Sequence, residues 1–316
     1  MVQPPGRPVR GLTVTVPIEF EPTLIVLREK YGVFRRYADV EPMSSDTKLI
    51  PRRVGGLTAY PVGEGQPITP SDMTFDQIQL VAKKWAVLTK RSSELDEDNA
   101  IQLGDKLIDE IAYIFSKTED ECGFNGDGTS TYHGITGVRS ALLGLSATRA
   151  NIAGLVVGTG NLWAELELQD FLSVLGRLPE YANTNNTAWY MSRSFFYSTV
   201  LRLILEQGGS PGAEVIAGSR TPMLLGYPVR FSQVMPRTEA NDVIPVFFGD
   251  LKLAATFGDR RGTTIAASEH SDFANDLIAL RGTERFDVVV HDVGNASATA
   301  GLREPGPLTA LATAAS

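Results

Sequence analysis

The pattern of apolar and polar positions changes character several times along the chain. The clearest helical stretch runs from Ser92 to Cys122. Ala100, Gly104, Leu107, Ile108, Ile111, Ala112, Phe115 and Cys122 recur at helical spacing and form one apolar stripe. Ser93 followed by Asp96 resembles a capping box, and Asp96, Glu97 and Asp98 put acid where the helix dipole favours it. At about 1.5 Å per residue this predicts a rod about 40 Å long. Gly123 supplies a stop, and Asn125-Gly126-Asp127-Gly128 a dense turn.

Ahead of the rod, Lys48 to Val54 reads as extended, Gly55-Gly56 and Pro61 to Pro70 supply turn residues, and Phe75 to Thr89 continues as a second extended segment. Together they predict a ribbon over residues 46–92 with an unusually long connection. A two-stranded ribbon is marginal alone in water, so one this long needs a surface to lie on. Residues 1–45, punctuated by Pro4, Pro5, Pro8, Pro17, Pro22 and Pro42, read as an arm. Only Glu19–Arg36 looks helical there, through Leu24, Leu27, Tyr31 and Phe34.

Beyond the rod the elements are shorter and mixed. Helices are predicted at Trp163–Leu178 and Ser192–Gln207, and strands at Ala188–Met191, Met223–Phe231, Ile244–Phe248, Leu251–Phe257 and within Leu277–Val293. Residues 296–316 are rich in Ala, Gly and Thr and read as a mobile tail. The fold class is α+β with a mainly antiparallel sheet.

Composition narrows the function classes. A chain of 316 residues with 43% hydrophobic and 21% charged residues is ordinary globular material. Its net charge of −8 makes it a poor electrostatic partner for nucleic acid or an anionic membrane. The single cysteine, Cys122, rules out an intrachain disulfide framework. No secretory signal and no spanning segment is read, which places the chain among cytoplasmic, soluble, oligomeric proteins.

Candidate chemistry is sparse. His133, His270 and His291 are scattered, and zinc needs about four convergent ligands, so no metal is assigned. Gly126-Asp127-Gly128 and Gly158-Thr159-Gly160 match neither a dinucleotide fingerprint nor a P-loop. Asn125, Asp127 and Thr129 have calcium-loop spacing, but Thr136 stands where the bidentate glutamate belongs, and a turn is the better reading. Cys122, at the negative end of a helix, reads as core. The acidic runs Asp96–Asp98 and Glu119–Glu121 read as caps and solvated helix faces. No catalytic set, cofactor or metal proposes itself.

Several short motifs occur in a telling order. They are Val62-Gly63-Glu64-Gly65, then Phe75 to Lys84, Ser93 to Asp98, the rod ending in Phe124-Asn125-Gly126-Asp127-Gly128-Thr129, and His133-Gly134-Ile135. Trp189-Tyr190-Met191-Ser192, Leu224 to Val229 with Met235-Pro236, Phe248-Gly249-Asp250 and Phe273 to Asp276 with Arg281 and Arg285 follow. In this order the chain resembles the major capsid proteins of tailed bacteriophages of the Hong Kong 97 type, over residues 45–295. The resemblance implies a structural, non-enzymatic protein with a Hong Kong 97-like capsid fold. Its parts would be an N-terminal arm (1–45), an E-loop (46–92), a peripheral domain with the spine helix (93–159 and 265–295), an axial domain (160–264) and the tail (296–316). The implied partners are further copies in pentamers and hexamers, with scaffolding, portal and decoration proteins and enclosed double-stranded DNA. The implied location is the virion capsid, reached through the host cytoplasm. An encapsulin-like compartment, a gene transfer agent capsid and an uncharacterised α+β enzyme are the alternatives. Some relatives cross-link a lysine near the E-loop tip to a neighbour. Residues 62–76 hold Glu64 and Asp72 but no lysine, so contact through Glu64, Ile68, Met73 and Phe75 without isopeptide bonds is expected.

Overall fold

The computed structural model describes residues 31–92, 103–206, 222–272, 275 and 277–315. Twelve strands are named in chain order: β1 Asp39–Pro42, β2 Thr47–Gly55, β3 Thr74–Val81, β4 Lys83–Ser92, β5 Leu155–Val157, β6 Ala188–Met191, β7 Met223–Leu224, β8 Tyr227–Phe231, β9 Val246–Gly249, β10 Ala255–Asp272, β11 Leu277–Val290 and β12 Leu308–Ala312. They form a six-stranded sheet in the order β5-β12-β9-β6-β8-β7, a four-stranded sheet β1-β10-β11-β4, and the separate ribbon β2-β3.

Side-chain alternation in the six-stranded sheet divides the interior in two. Trp189, Met191, Val246, Phe248 and Leu311 point to a core closed by the helices Leu168–Arg177 and Leu201–Glu206. Tyr190, Phe247, Leu308, Ala310 and Ala312 point to the other core. That second core also takes Phe124 from the end of the long helix and Phe257, Phe286 and Val288 from β10 and β11. One apolar body thus welds the base of the four-stranded sheet to the six-stranded sheet.

The long helix, Leu103–Asn125, lies on one face of the four-stranded sheet. Ile111 and Phe115 pack on Leu280, and the backbone at Gly282 comes so close that a Cβ there would collide with Ile111. The helix runs two residues past Gly123, because Gly123 is needed where the Phe34 ring presses on the backbone.

Several expectations are corrected. The ribbon does not extend to residue 92: β2 pairs only with β3, and β4 pairs with β11 from Lys83↔Phe286 to Ser92↔Leu277. The chain leaves the ribbon at Ala82, whose N–H is held by the Asp46 carbonyl at 2.8 Å. Residues 296–316 are not a loose tail through their length, because β12 lies between β5 and β9 with every residue buried. Small side chains suit a strand enclosed on both faces, and that composition reads in sequence like low complexity. No boundary falls between residues 264 and 265, where β10 runs through unbroken and pairs with β11 along its length. Likewise β5, placed in the 93–159 segment, belongs to the six-stranded sheet. Leu251–Ala254 is a short helix ahead of β10. Glu119 and Asp120 are buried, not solvated. The Ser93–Asp96 cap, Leu24 and Leu27 lie outside the described residues.

Candidate intersubunit ribbon and its anchorage

The β2-β3 ribbon is a ladder from Thr47↔Val81 to Gly55↔Thr74, rooted at one end and open at the other. Its root is tied by charge. The buried Asp287 carboxylate on β11 accepts the Val81 N–H at 2.7 Å and the Lys83 ammonium at 3.0 Å, fixing the point where the chain passes from β3 to β4. Arg52 on β2 donates to the His291 carbonyl and pairs with Asp76 across the ladder at 2.9 Å. Backbone and side-chain donors hold the Asp76 carboxyl below its ordinary range: the Gln77 N–H first, then Arg52. Lys48 is engaged by Glu41 at 2.6 Å.

A second anchor lies beside it. Asp120 of the long helix accepts the N–H groups of Gly32, Val33 and Phe34 at 2.8, 3.1 and 2.8 Å, which caps the short helix Val33–Tyr37 from another element. Burial pushes this carboxyl up to about 6, against the pull of those three donors. Arg35 then reaches Glu119 at 2.7 Å, Asp259, and Glu284 at 3.6 Å. Three carboxyls around one guanidinium leave surplus negative charge in a buried place. The site resolves it by keeping Glu284 protonated: burial, then its hydrogen bond with Glu119, push Glu284 up to about 9. The sequence carried a signal for Glu119, since Ile111, Phe115, Glu119 and Cys122 follow one helical stripe.

The open end has no such support. Ile68 is 81% exposed and Phe75 66% exposed, and Met73, Leu57, Tyr60 and Val62 are exposed as well. Glu64 is exposed next to Gly65, whose positive φ of 76° turns the chain. Within residues 56–73 the bonds are local: Gln66 N–H to the Gly63 carbonyl at 3.1 Å and Thr58 N–H to Ser71 Oγ at 2.8 Å. Of the expected contact residues, Met73 and Phe75 flank the last rungs of the ladder, whereas Glu64 and Ile68 lie in the connection beyond it. A ladder eight residues long spans about 27 Å. It therefore carries a cluster of apolar side chains well away from both cores, with the shape of an interface element and no apparatus for bond chemistry.

Elsewhere the residues considered for chemistry are structural. Cys122 is buried and burial pushes its thiol up to about 12, the reverse of a reactive cysteine. Asp127 Oδ1 accepts the Thr129 N–H at 2.9 Å in a turn. The His133 ring sits edge-on to Trp85 at 4.9 Å. Among the described residues no three acids, histidines or cysteines gather as a metal site, and no helix is long and apolar enough to cross a membrane.

The fold closely matches solved capsids. The chain superposes on the capsid of a native GTA particle with a TM-score of 0.72 at 17% identity, covering 95% of this chain and 96% of that one. For a structure from Gordonia phage Cozz the TM-score is 0.71 at 15% identity, covering 100% and 99%. The major capsid protein of Klebsiella oxytoca phage phiKO2 is 24% identical over 230 residues, which is 71% of this chain and 50% of that protein. The chain thus spans about half the length of that curated relative. The sequence model described as the Phage capsid family matches residues 13–296, nearly the whole of the mixed helix-and-sheet body and the ribbon, and ends before β12. A family of structural proteins, not enzymes, agrees with a molecule whose most conspicuous exposed element is an apolar ribbon: this chain belongs to the phage capsid family.

Proposed function

We propose that the chain is a major capsid protein that assembles through pentameric and hexameric capsomers into an icosahedral shell around double-stranded DNA. The observation that carries this reading is the ribbon, anchored at its root and apolar at its exposed end, in a chain of the phage capsid family. In this reading β2-β3 is the E-loop and lies over an adjacent subunit. The long helix and four-stranded sheet form the peripheral domain, and the six-stranded sheet forms the axial domain, whose tips meet around the capsomer axes. Glu64, Ile68, Met73 and Phe75 make the intersubunit contact, with burial of the apolar three as its driving force. Many modest contacts of this kind, repeated by symmetry, add up to a stable shell. Scaffolding, portal and decoration proteins complete the particle, which forms in the host cytoplasm.

The joint is non-covalent in this reading. Residues 56–73 contain no lysine, Lys48 on the ribbon and Lys83 just past it are engaged by Glu41 and Asp287 of their own chain, and Lys84 lies on β4, paired in the sheet with β11 and outside the ribbon. Denaturing electrophoresis of particles should give the capsid chain as a single monomer band, and a ladder of multimers would refute the point. A gene transfer agent capsid is the second reading, favoured by the likeness to the GTA particle.

The test of the main reading is negative-stain electron microscopy, with light scattering, of the chain alone and together with the products of adjacent genes. Closed shells, or rings of five and six, are expected. A monomer under every condition would overturn the reading.

A further inference from the structure

Among the described residues, the face of the four-stranded sheet turned away from the long helix is left uncovered, and its charges are arranged in an unusual way. Lys84 on β4 lies opposite Arg285 on β11, and Arg285 lies opposite Arg261 on β10, so three cations form a row across three adjacent strands. Neighbouring strands are about 4.8 Å apart, and like charges set directly opposite one another destabilise a sheet. Arg281, two positions from Thr283 along β11, extends the row into a groove of about 450 Å³. Asp46 answers part of this charge, pairing with Arg285 at 3.1 Å and with Arg260 at 3.4 Å. Lys84, Arg261 and Arg281 have no carboxylate partner among the described residues. Setting these cations side by side costs folding energy, and among the described residues Asp46 is the carboxylate that offsets it.

The opposite charge lies on the ribbon connection. Residues 56–73 carry two ionisable charges, Glu64 and Asp72, both acidic and both exposed. Neither is ion-paired among the described residues, and the connection's hydrogen bonds, Gln66 to Gly63 and Thr58 to Ser71, stay within it. We infer that the groove lined by Lys84, Arg261, Arg281 and Arg285 is an ionic socket for Glu64 and Asp72 on the ribbon of a second copy of this chain. The inference rests on the proposed shell function and names where on a neighbour the ribbon lands. A second copy fits better than a nucleic acid. The chain as a whole carries a net charge of −8 and repels a polyanion at long range. Beside the cations, the same face presents Leu88, 63% exposed and opposite Arg281, to which the exposed Ile68 and Met73 of the connection are suited. Charge then sets the register, and the apolar residues supply the adhesion.

The experiment mixes unlabelled and 15N-labelled full-length chain, joins carboxylates to amines with a carbodiimide, and identifies the mixed-isotope peptides by mass spectrometry. Glu64 or Asp72 linked to Lys84 is the expected product, with a yield falling severalfold between about 50 and about 500 mM salt as the charges are screened. Mixed-isotope links from these acids to other lysines, with none to Lys84, would overturn the socket and leave the shell reading standing. Absence of any mixed-isotope link from a chain that scatters as a monomer would overturn both. In parallel, Arg261→Glu with Arg281→Glu should reduce assembled particles at least tenfold, and adding Glu64→Lys with Asp72→Lys should restore them. Unchanged assembly of the groove variant would overturn the socket, and so would intact assembly accompanied by a tenfold loss of binding to a duplex DNA oligonucleotide.

Discussion

Strands β6, β9 and β12 and strands β2 and β3 meet opposite surroundings. Every residue of β6, β9 and β12 is buried, between two cores on opposite faces of one sheet. In β3 only Leu80 is buried, although the strand also carries Phe75, Ile78 and Val81. The difference teaches where the energy of each element comes from. The central sheet is stabilised by apolar area removed from water within one chain, at about 25 cal/mol per Å². The ribbon leaves comparable side chains in water and is held at its root by Asp287, Arg52 and the Asp46 carbonyl. In the proposed shell, its apolar area is buried only when a second copy arrives.

The largest effect that would break this comparison is expected in the central sheet. Phe248 packs with Trp189 at 4.3 Å and Tyr227 at 5.0 Å between ring centres. Phe248→Asp places an unpaired charge there and should remove more than about 5 kcal/mol, enough to unfold a domain of ordinary stability. Ile111→Asp under the long helix should do the same. Circular dichroism would check both, and a cooperative melt near that of the parent would contradict them.

An intermediate effect is expected at the anchorage. Asp120→Ala strands three backbone donors and should cost about 2–4 kcal/mol by denaturant unfolding. Asp120→Asn keeps an acceptor and should recover part of the loss.

The same cluster sets a pH dependence. Glu284 titrates at about 9 when folded and at about 4 when unfolded, so the folded chain retains a proton that the unfolded chain has released. Stability therefore falls as pH rises through that interval, by up to about 1.4 kcal/mol per unit, and levels off above it. Asp120 acts with the same sign over the shorter interval up to about 6. Glu284→Gln mimics the protonated form, so it should flatten the slope between pH 7 and 9 and, by removing the cost of holding that proton, raise stability at pH 7. Parallel slopes for variant and parent would place the proton elsewhere.

The smallest effect on stability belongs to the ribbon. Phe75→Asp should change unfolding by about 0.5 kcal/mol or less, as exposed positions do, yet prevent particles from forming. If it unfolded the isolated chain, the ribbon would be packing on its own body and the comparison would collapse.

Where local pattern and final environment agree, sequence was enough. The stripe through Ile111, Phe115 and Cys122 does face the core, and the mainly antiparallel pairing was expected. The class of element also survived for the ribbon, through its turn residues. Its extent did not, because Lys83 to Ser92 alternates just as a ribbon strand does and only pairing with β11 distinguishes it. The strand Leu308–Ala312 was hidden because Leu-Thr-Ala-Leu-Ala contains nothing large enough to announce a core. Glu119, Asp120 and Glu284 were hidden for a different reason. A buried carboxyl is identified by its partners, and Arg35 lies 84 positions from Glu119 along the chain.

The place of β12 bears on how the molecule is made. A ribosome completes β5, β6, β8 and β9 long before it reaches residue 308, and among the described residues β12 is β5's one neighbour in its sheet. During translation, therefore, the larger sheet stands open along one edge of β9 until residues 308–312 emerge and slot between the two waiting strands. A chain released before that point would expose the β9 edge and the apolar lining on either side of it, which is the surface that chaperones and proteases recognise.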